Sequence, residues 1–168
     1  VLIRLIALEM ERIAIHIGDL GAVSNDIAYL MGNAVFGATR TLVINTLLEI
    51  CGSRFGRGLI RTGGSVYDIN KNLSDKISNM LDKVLIDVDR MAKTMFSSVS
   101  VLSRLEKTGI LNKENAQKLG IVGMAARASG VGLDVRVDHP WDKKLSLSKK
   151  LLESGDVYAR SYIRYEEI

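Results

Sequence analysis

The first thirty residues constrain this chain most. Large apolar side chains recur at Ile3, Ile6, Met10, Ile13, Ile17, Leu20, Ile27 and Met31, in steps of three, four and seven. A helix with one buried face satisfies such spacing along its whole length. One amphipathic helix is therefore expected over residues 1–30, with those side chains inward. Polar groups share the same rod. Arg12, Asp19 and Asp26 are seven apart, as are Glu9 and His16, and Arg12 and His16 are neighbours four residues apart. Gly18, Gly21 and Gly32 are costly in a helix, about 1 kcal/mol each relative to alanine. Small residues there imply that something approaches the helix backbone, and such a helix is suited to holding a site.

The remaining pattern is also helical. A single proline, Pro140, and an aromatic content of 5% argue for helices packed through Leu, Ile, Val, Met and Ala. The length suits one domain with a real core, so a single, mainly α domain over residues 1–168 is expected. Gly32 and Asn33 read as a stop or kink. A second helix then runs from Ala34 to about Ser53, with Val35, Leu42, Val43, Thr46, Leu47 and Ile50 inward. Residues 52–65, GSRFGRGLIRTGGS, carry five glycines and three arginines and cannot be a comfortable helix. A third helix should begin near Ser74, a good N-cap residue. It buries Ile77, Leu81, Val84, Val88, Met91 and Met95. Shorter helices follow from Val99 to Lys107 and, capped by Asn112, from Lys113 to Leu119. The segment GIVGMAARASGVGLDVRVDHPW is irregular, Leu145 and Leu147 suggest a short hairpin strand, and a last helix starts at Asp156.

Charge and cysteine content narrow the function. A net charge of +4, evenly interspersed, gives no footprint for nucleic acid. The pairs Lys143-Lys144 and Lys149-Lys150 read as solvated face. Cys51 is alone, so no disulfide and no cysteine-based metal site forms within the chain, which suits a reducing compartment. No apolar run is expected to have the roughly 18–20 residues of a membrane span, and the opening VLIRLIALEM lacks a signal-peptide pattern. Because the sequence opens at Val1, it reads as part of a longer polypeptide.

Three constellations remain as candidate sites. His16 and His139 lack a second His or Cys at ligand spacing, so each reads by default as a satisfied histidine. Asp26 lies near the end of an apolar helix. If buried, its proton affinity would rise and it could relay protons; pairing with a loop arginine is the alternative. The glycines of 52–65 allow close backbone approach and its arginines can receive anions, or they simply face solvent around a tight turn.

Taken together, EMERIAIHIGDLGAVSND at residues 9–26, GSRFGRGLIRTGGS and RASGVGLDVRVDHPW resemble, in order and spacing, the [NiFe]-hydrogenase large-subunit family. The likeness is to its complex I-related branch, and it covers nearly all of the chain. It implies the helical-bundle core of a hydrogenase-like large subunit, with a short β hairpin between the loops and the last helix. It implies that Asp26 is a proton relay at the inner end of a quinone cavity and that His16 is the histidine of the same helix motif. Arg61, Gly63 and Gly64 would lie beside a partner's terminal iron–sulfur cluster, and Arg127, Asp134, Arg136 and His139 on a second loop bordering the cavity. Asp138-His139-Pro140 reads more like the hydrogenase side. Family hydrogenases bind nickel and iron through two CxxC pairs that this chain lacks, so the chain itself should bind no nickel.

The function implied is that of the catalytic large subunit of an energy-converting, hydrogenase-like oxidoreductase, with a complex I-type NADH dehydrogenase (quinone) subunit as the alternative. Its cofactors would be a nickel–iron centre or a quinone in the parent and an iron–sulfur cluster in a small partner subunit. Its partners would be that subunit and membrane ion-translocating subunits, on the cytoplasmic face. Alone, the chain should be inactive and self-associate through faces normally covered. A non-catalytic helical scaffold is a further alternative.

Overall fold

The computed structural model describes residues 2–140 and 147–168. These form two compact units, one from the start of the chain to Met95 together with Ile168, and one over Phe96–Glu167. Lys143-Lys144 and Leu145 lie outside the described residues.

The first unit is built on three helices, α1 (Leu2–Asp26), α2 (Leu30–Cys51) and α3 (Lys71–Phe96), the last continuing to Phe96 of the second unit. Helix α1 is shorter than expected. Tyr29 N–H bonds Ser24 O at 2.7 Å and Ala28 N–H bonds Asn25 O at 2.9 Å, with Ala28 left-handed at φ 59°. This pair of bonds is a Schellman end, and α2 restarts immediately. Gly32 is therefore not a stop but sits buried in the first turn of α2. An alanine in left-handed conformation costs about 1 kcal/mol relative to glycine. Ala28→Gly is expected to stabilise the first unit by about that amount, read as a shift in urea midpoint with unchanged slope.

The buried seam of α1 also differs from the expected one. Ala7, Met10, Ala14, Ile17, Gly21 and Ser24 are buried, whereas Ile6 and Met31 are exposed. The reason is close packing against α2. A Cβ on Gly32 would lie 2.7 Å from Ser24 Oγ, and one on Gly18 would lie 2.9 Å from Arg40 Nε. Arg40 uses that room to donate to Ala14 O at 3.1 Å. The expected close approach to glycine is thus met by α2. Helix α2 is long and apolar enough to cross a membrane by length and composition, contrary to expectation. Here that apolarity goes into packing, with Phe36, Val43, Ile44, Leu47 and Ile50 buried.

Between α2 and α3 lies a two-stranded antiparallel hairpin, β1 (Ile60–Arg61) with β2 (Gly64–Ser65), in register Ile60 to Ser65 and Arg61 to Gly64. The hairpin thus falls in the Arg/Gly-rich loop, while Leu147 carries no strand. Buried Leu59 anchors it. Helix α3 starts before Ser74, because Asn70 Oδ1 accepts Leu73 N–H at 2.9 Å.

The second unit contains α4 (Val99–Leu105), α5 (Lys113–Lys118), α6 (Gly123–Ala128), α7 (Val135–Asp138) and α8 (Val157–Glu166). Two short helices, α6 and α7, thus occupy the segment expected to be irregular. Asn112 caps α5 and Asp156 caps α8 through its bond from Ala159 N–H. Asp156 also accepts Lys107 N–H and Ser154 Oγ–H, each at 2.9 Å. Burial works against its charge, but these three bonds outweigh it and hold the carboxyl below its ordinary value. Backbone bonds strap residues 152–157 to their neighbours: Leu152 to Arg127, Gly155 to Ala128 and Leu111, and Val157 to Thr108. Phe96 packs against Tyr158, Tyr162 and Tyr165, with centroids 5.4–6.1 Å apart.

Candidate functional site

In the first unit the candidate residues stay apart. His16 is buried in the middle of α1 and Asp26 is exposed at its last residue. Ten residues of helix separate them, roughly 15 Å at 1.5 Å per residue. Asp26 is therefore an exposed carboxylate in this chain rather than a buried one. Arg12 pairs with Glu9 at 3.1 Å.

Arg61 ends the first strand of the hairpin and pairs with Gly64, while Gly63 makes the turn at φ 93°. Ser53 Oγ accepts the N–H groups of Phe55 and Arg57 and shapes the start of the loop. The side chains of Arg54, Arg57 and Arg61 are exposed. None of them pairs with a carboxylate among the described residues; Arg61 Nε donates to Gly58 O at 3.4 Å. The loop thus presents three guanidinium groups outward.

The second unit brings its candidates together. Arg127, on α6, is buried with its side chain 4% exposed, beside Asp134 at 3%. Asp134 caps α7 and receives Arg136 as a fork, Nε to Oδ1 at 3.1 Å and Nη2 to Oδ2 at 2.9 Å. Arg127 lies 3.8 Å from the same carboxylate and donates to Leu133 O at 3.3 Å. The fourth member is Glu167, 1% exposed, at the C-cap of α8. It accepts a short hydrogen bond from Arg127 and lies 3.2 Å from Arg136. Each carboxylate touches both guanidiniums, and the four formal charges sum to zero.

Bidentate Arg–carboxylate geometry is the strongest form of this interaction. Burial disfavours the charge on Asp134, yet its bonds from Arg136 and the charges of both arginines outweigh it and lower the carboxyl below its ordinary value. A second layer surrounds the quartet. Asp138 accepts Asp134 N–H at 2.9 Å and pairs with Lys149, which also donates to Gly132 O at 2.9 Å. Lys150 pairs with Glu166 at 3.1 Å. Both lysines, expected as a solvated face, are therefore held in ion pairs. His139 is exposed at the C-cap of α7 and stays outside the quartet.

Sequence reasoning missed Glu167. Its one local signal was an acidic pair at the C-terminal end of a helix, where the helix dipole disfavours negative charge. The donor set does not fit a nickel–iron centre. Cys51, the one cysteine in the sequence, is buried with Sγ against Leu47 O and Ser53 O. Among the described residues, no group of three or more His, Cys, Asp or Glu is placed to hold a metal.

A family model described as the 49 Kd subunit of respiratory-chain NADH dehydrogenase matches residues 26–168, from the end of α1 through both loops and α8. The chain belongs to this family. Among curated proteins, it is 30% identical to an NADH-quinone oxidoreductase subunit of Thermodesulfovibrio yellowstonii, covering 99% of this chain and 42% of that protein. It is likewise 30% identical to the corresponding NADH-quinone oxidoreductase subunit of Clostridium beijerinckii, covering 99% and 45%. The counterpart from Opitutus terrae is 28% identical, over 99% and 39%. The chain thus spans less than half the length of these relatives. Among solved structures, its fold resembles a chain of the membrane-bound sulfane sulfur reductase, an archaeal respiratory membrane complex. The TM-score is 0.87 at 24% identity, over 95% of this chain and 44% of that one. That likeness establishes the mainly helical fold and says nothing of chemistry.

Proposed function

We propose that this family member forms the central part of the large subunit of a membrane-associated respiratory oxidoreductase of the complex I type. The observation that carries the reading is the match of residues 26–168 to the 49 Kd subunit family, together with relatives named as quinone oxidoreductases. In the assembled enzyme, electrons arrive through an iron–sulfur small subunit and reach a quinone in a cavity that the second loop borders. Membrane subunits couple that transfer to ion translocation, and the complex sits peripherally on the cytoplasmic face.

The chain's own residues take distinct parts. Asp26, exposed at the end of α1, exchanges the proton that accompanies reduction, while His16 acts separately, buried in the middle of the same helix. Arg61, on the hairpin with Gly63 and Gly64, offers positive charge to the cluster side, since a nearby cation favours the more negative, reduced state. Arg127, Asp134 and Arg136 form the rigid wall of the second loop, with His139 at its solvent edge. Exposed apolar side chains, among them Leu30, Met31, Leu85, Ile86, Leu119 and Val122, are the kind of surface that partners cover. The isolated chain is therefore expected to be inactive and to self-associate.

A second reading, the energy-converting hydrogenase, draws on the sequence Asp138-His139-Pro140. In that case a nickel–iron centre would be supplied from outside this chain and would give proton reduction. Metal analysis of the full-length subunit assembled with its partners separates the two. Cluster iron without nickel, together with quinone-dependent oxidation of a reduced donor, supports the first reading. Nickel in stoichiometric amount moves the protein to the second, and the absence of both iron and redox turnover overturns both.

A further inference from the structure

A buried carboxylate at the C-terminal end of a helix is held in place against two costs. Desolvation disfavours its charge, and so does the negative end of the helix dipole. Glu167 bears both, at the C-cap of α8 with its side chain 1% exposed. What offsets them is contact with two guanidiniums at once: the short hydrogen bond from Arg127 and the 3.2 Å pair with Arg136. Neither arginine relies on Glu167 alone for a carboxylate, because Asp134 already receives the Arg136 fork and lies 3.8 Å from Arg127. One carboxylate leaves the pair of arginines at net +1, and the second brings the group to zero. The second loop therefore presents a neutral wall rather than the cationic one that its arginines alone suggest.

We infer that Glu167 is a positioning and charge-setting residue of the second loop, which neutralises Arg127 and Arg136 and so tunes the redox site that this loop borders. The inference rests on the reading given under Proposed function, in which the second loop borders the quinone cavity that the partner's cluster serves. Glu167 touches no reacting atom itself and acts through the two arginines. Its electrostatic consequence has a definite sign. Removing its charge leaves the loop one unit more positive, which stabilises the reduced site; removing an arginine does the reverse.

The test is a redox titration, followed by electron paramagnetic resonance, of the iron–sulfur cluster in the full-length subunit assembled with its partners. Glu167→Gln is expected to move the midpoint potential positive and Arg136→Gln to move it negative. The double variant restores net zero and is expected to return the potential to that of the unmodified complex. Glu167→Asp, which keeps the charge, is expected to leave the potential in place even if assembly yield falls. A purely structural role predicts the opposite ranking, because the double variant would then be the most disturbed. Unshifted potentials in both single variants, or a double variant further from the starting value than either single one, overturn the inference while leaving the proposed function standing. An unmodified complex with no redox-active cluster overturns the proposed function and this inference with it.

Discussion

Gly155→Ala is expected to unfold the second unit at temperatures where the parent chain is fully folded. Gly155 is left-handed, at φ 64°, which costs an alanine about 1–2 kcal/mol. The steric cost is greater. An added Cβ would lie 2.0 Å from the carbonyl oxygen of Leu111 and 2.9 Å from its carbon. Those are backbone atoms, so no rotamer change relieves the contact. Backing away would break the bond from Leu111 N–H to Gly155 O at 2.9 Å and strain the one from Gly155 N–H to Ala128 O at 2.8 Å. The strap that joins residues 108–111, the end of α6 and the start of α8 would open together with the Asp156 cap beside it. A total of about 3–5 kcal/mol is expected, against the 5–15 kcal/mol that holds a typical domain. In a thermal melt followed by circular dichroism, the transition of this unit should fall by on the order of 15–25 °C. Gly132→Ala is the control. No atom lies within 4 Å of where its Cβ would be placed, and its melt should move by a few degrees at most. A Gly155→Ala melt indistinguishable from the control would show that the strap contributes little to stability.

What the sequence made legible were interactions closed within a few residues. Asn112 and Asp156 are each followed three residues later by the N–H they cap, and both helix starts were readable. Asn70 caps α3 in the same way, but Ser74 inside the helix carries the same chemistry and drew the boundary four residues too late. The end of α1 was hidden because its left-handed residue is Ala28, whereas Gly32, the residue that usually marks such an end, serves instead to let α2 approach Ser24. The seam of α1 was misread for a related reason. Counting large apolar residues favours Ile6 and Met31, but close packing selects Ala7, Ala14 and Gly21. The three-block resemblance located Arg127, Asp134 and Arg136, and the structure joins them. Glu167 lies forty residues from Arg127, and no local pattern reports a contact at that separation.

Arg127→Met carries the second large effect. Three quantities decide its sign. Arg127 contributes the short bond to Glu167 and a pair at 3.8 Å with Asp134; without it, the two buried carboxylates lose one of the two guanidiniums they touch. Breaking one partner of a buried ionic group costs about 3–5 kcal/mol, because the remaining charge is left uncompensated. Against this, the Nε–H of Arg127 is sealed from solvent with no acceptor among the described residues, a penalty of about 1–3 kcal/mol that the substitution removes. Methionine also fills much of the space with flexible apolar atoms. The balance still favours arginine, and a loss of about 2–3 kcal/mol is expected in urea unfolding at neutral pH. The pH dependence identifies the cause. In the parent chain Asp134 is held below its ordinary value of 3.8, so it binds fewer protons folded than unfolded. The stability it supplies is complete above the unfolded value and is lost as pH falls through the folded one. With Arg127 gone, one of the forces lowering that carboxyl disappears, and the folded value rises toward the unfolded one. The variant should therefore lose less stability than the parent between about pH 5 and pH 2, and the two curves should converge on acidification. Parallel curves across that window would mean that Arg127 acts through packing alone and that the quartet is electrostatically silent.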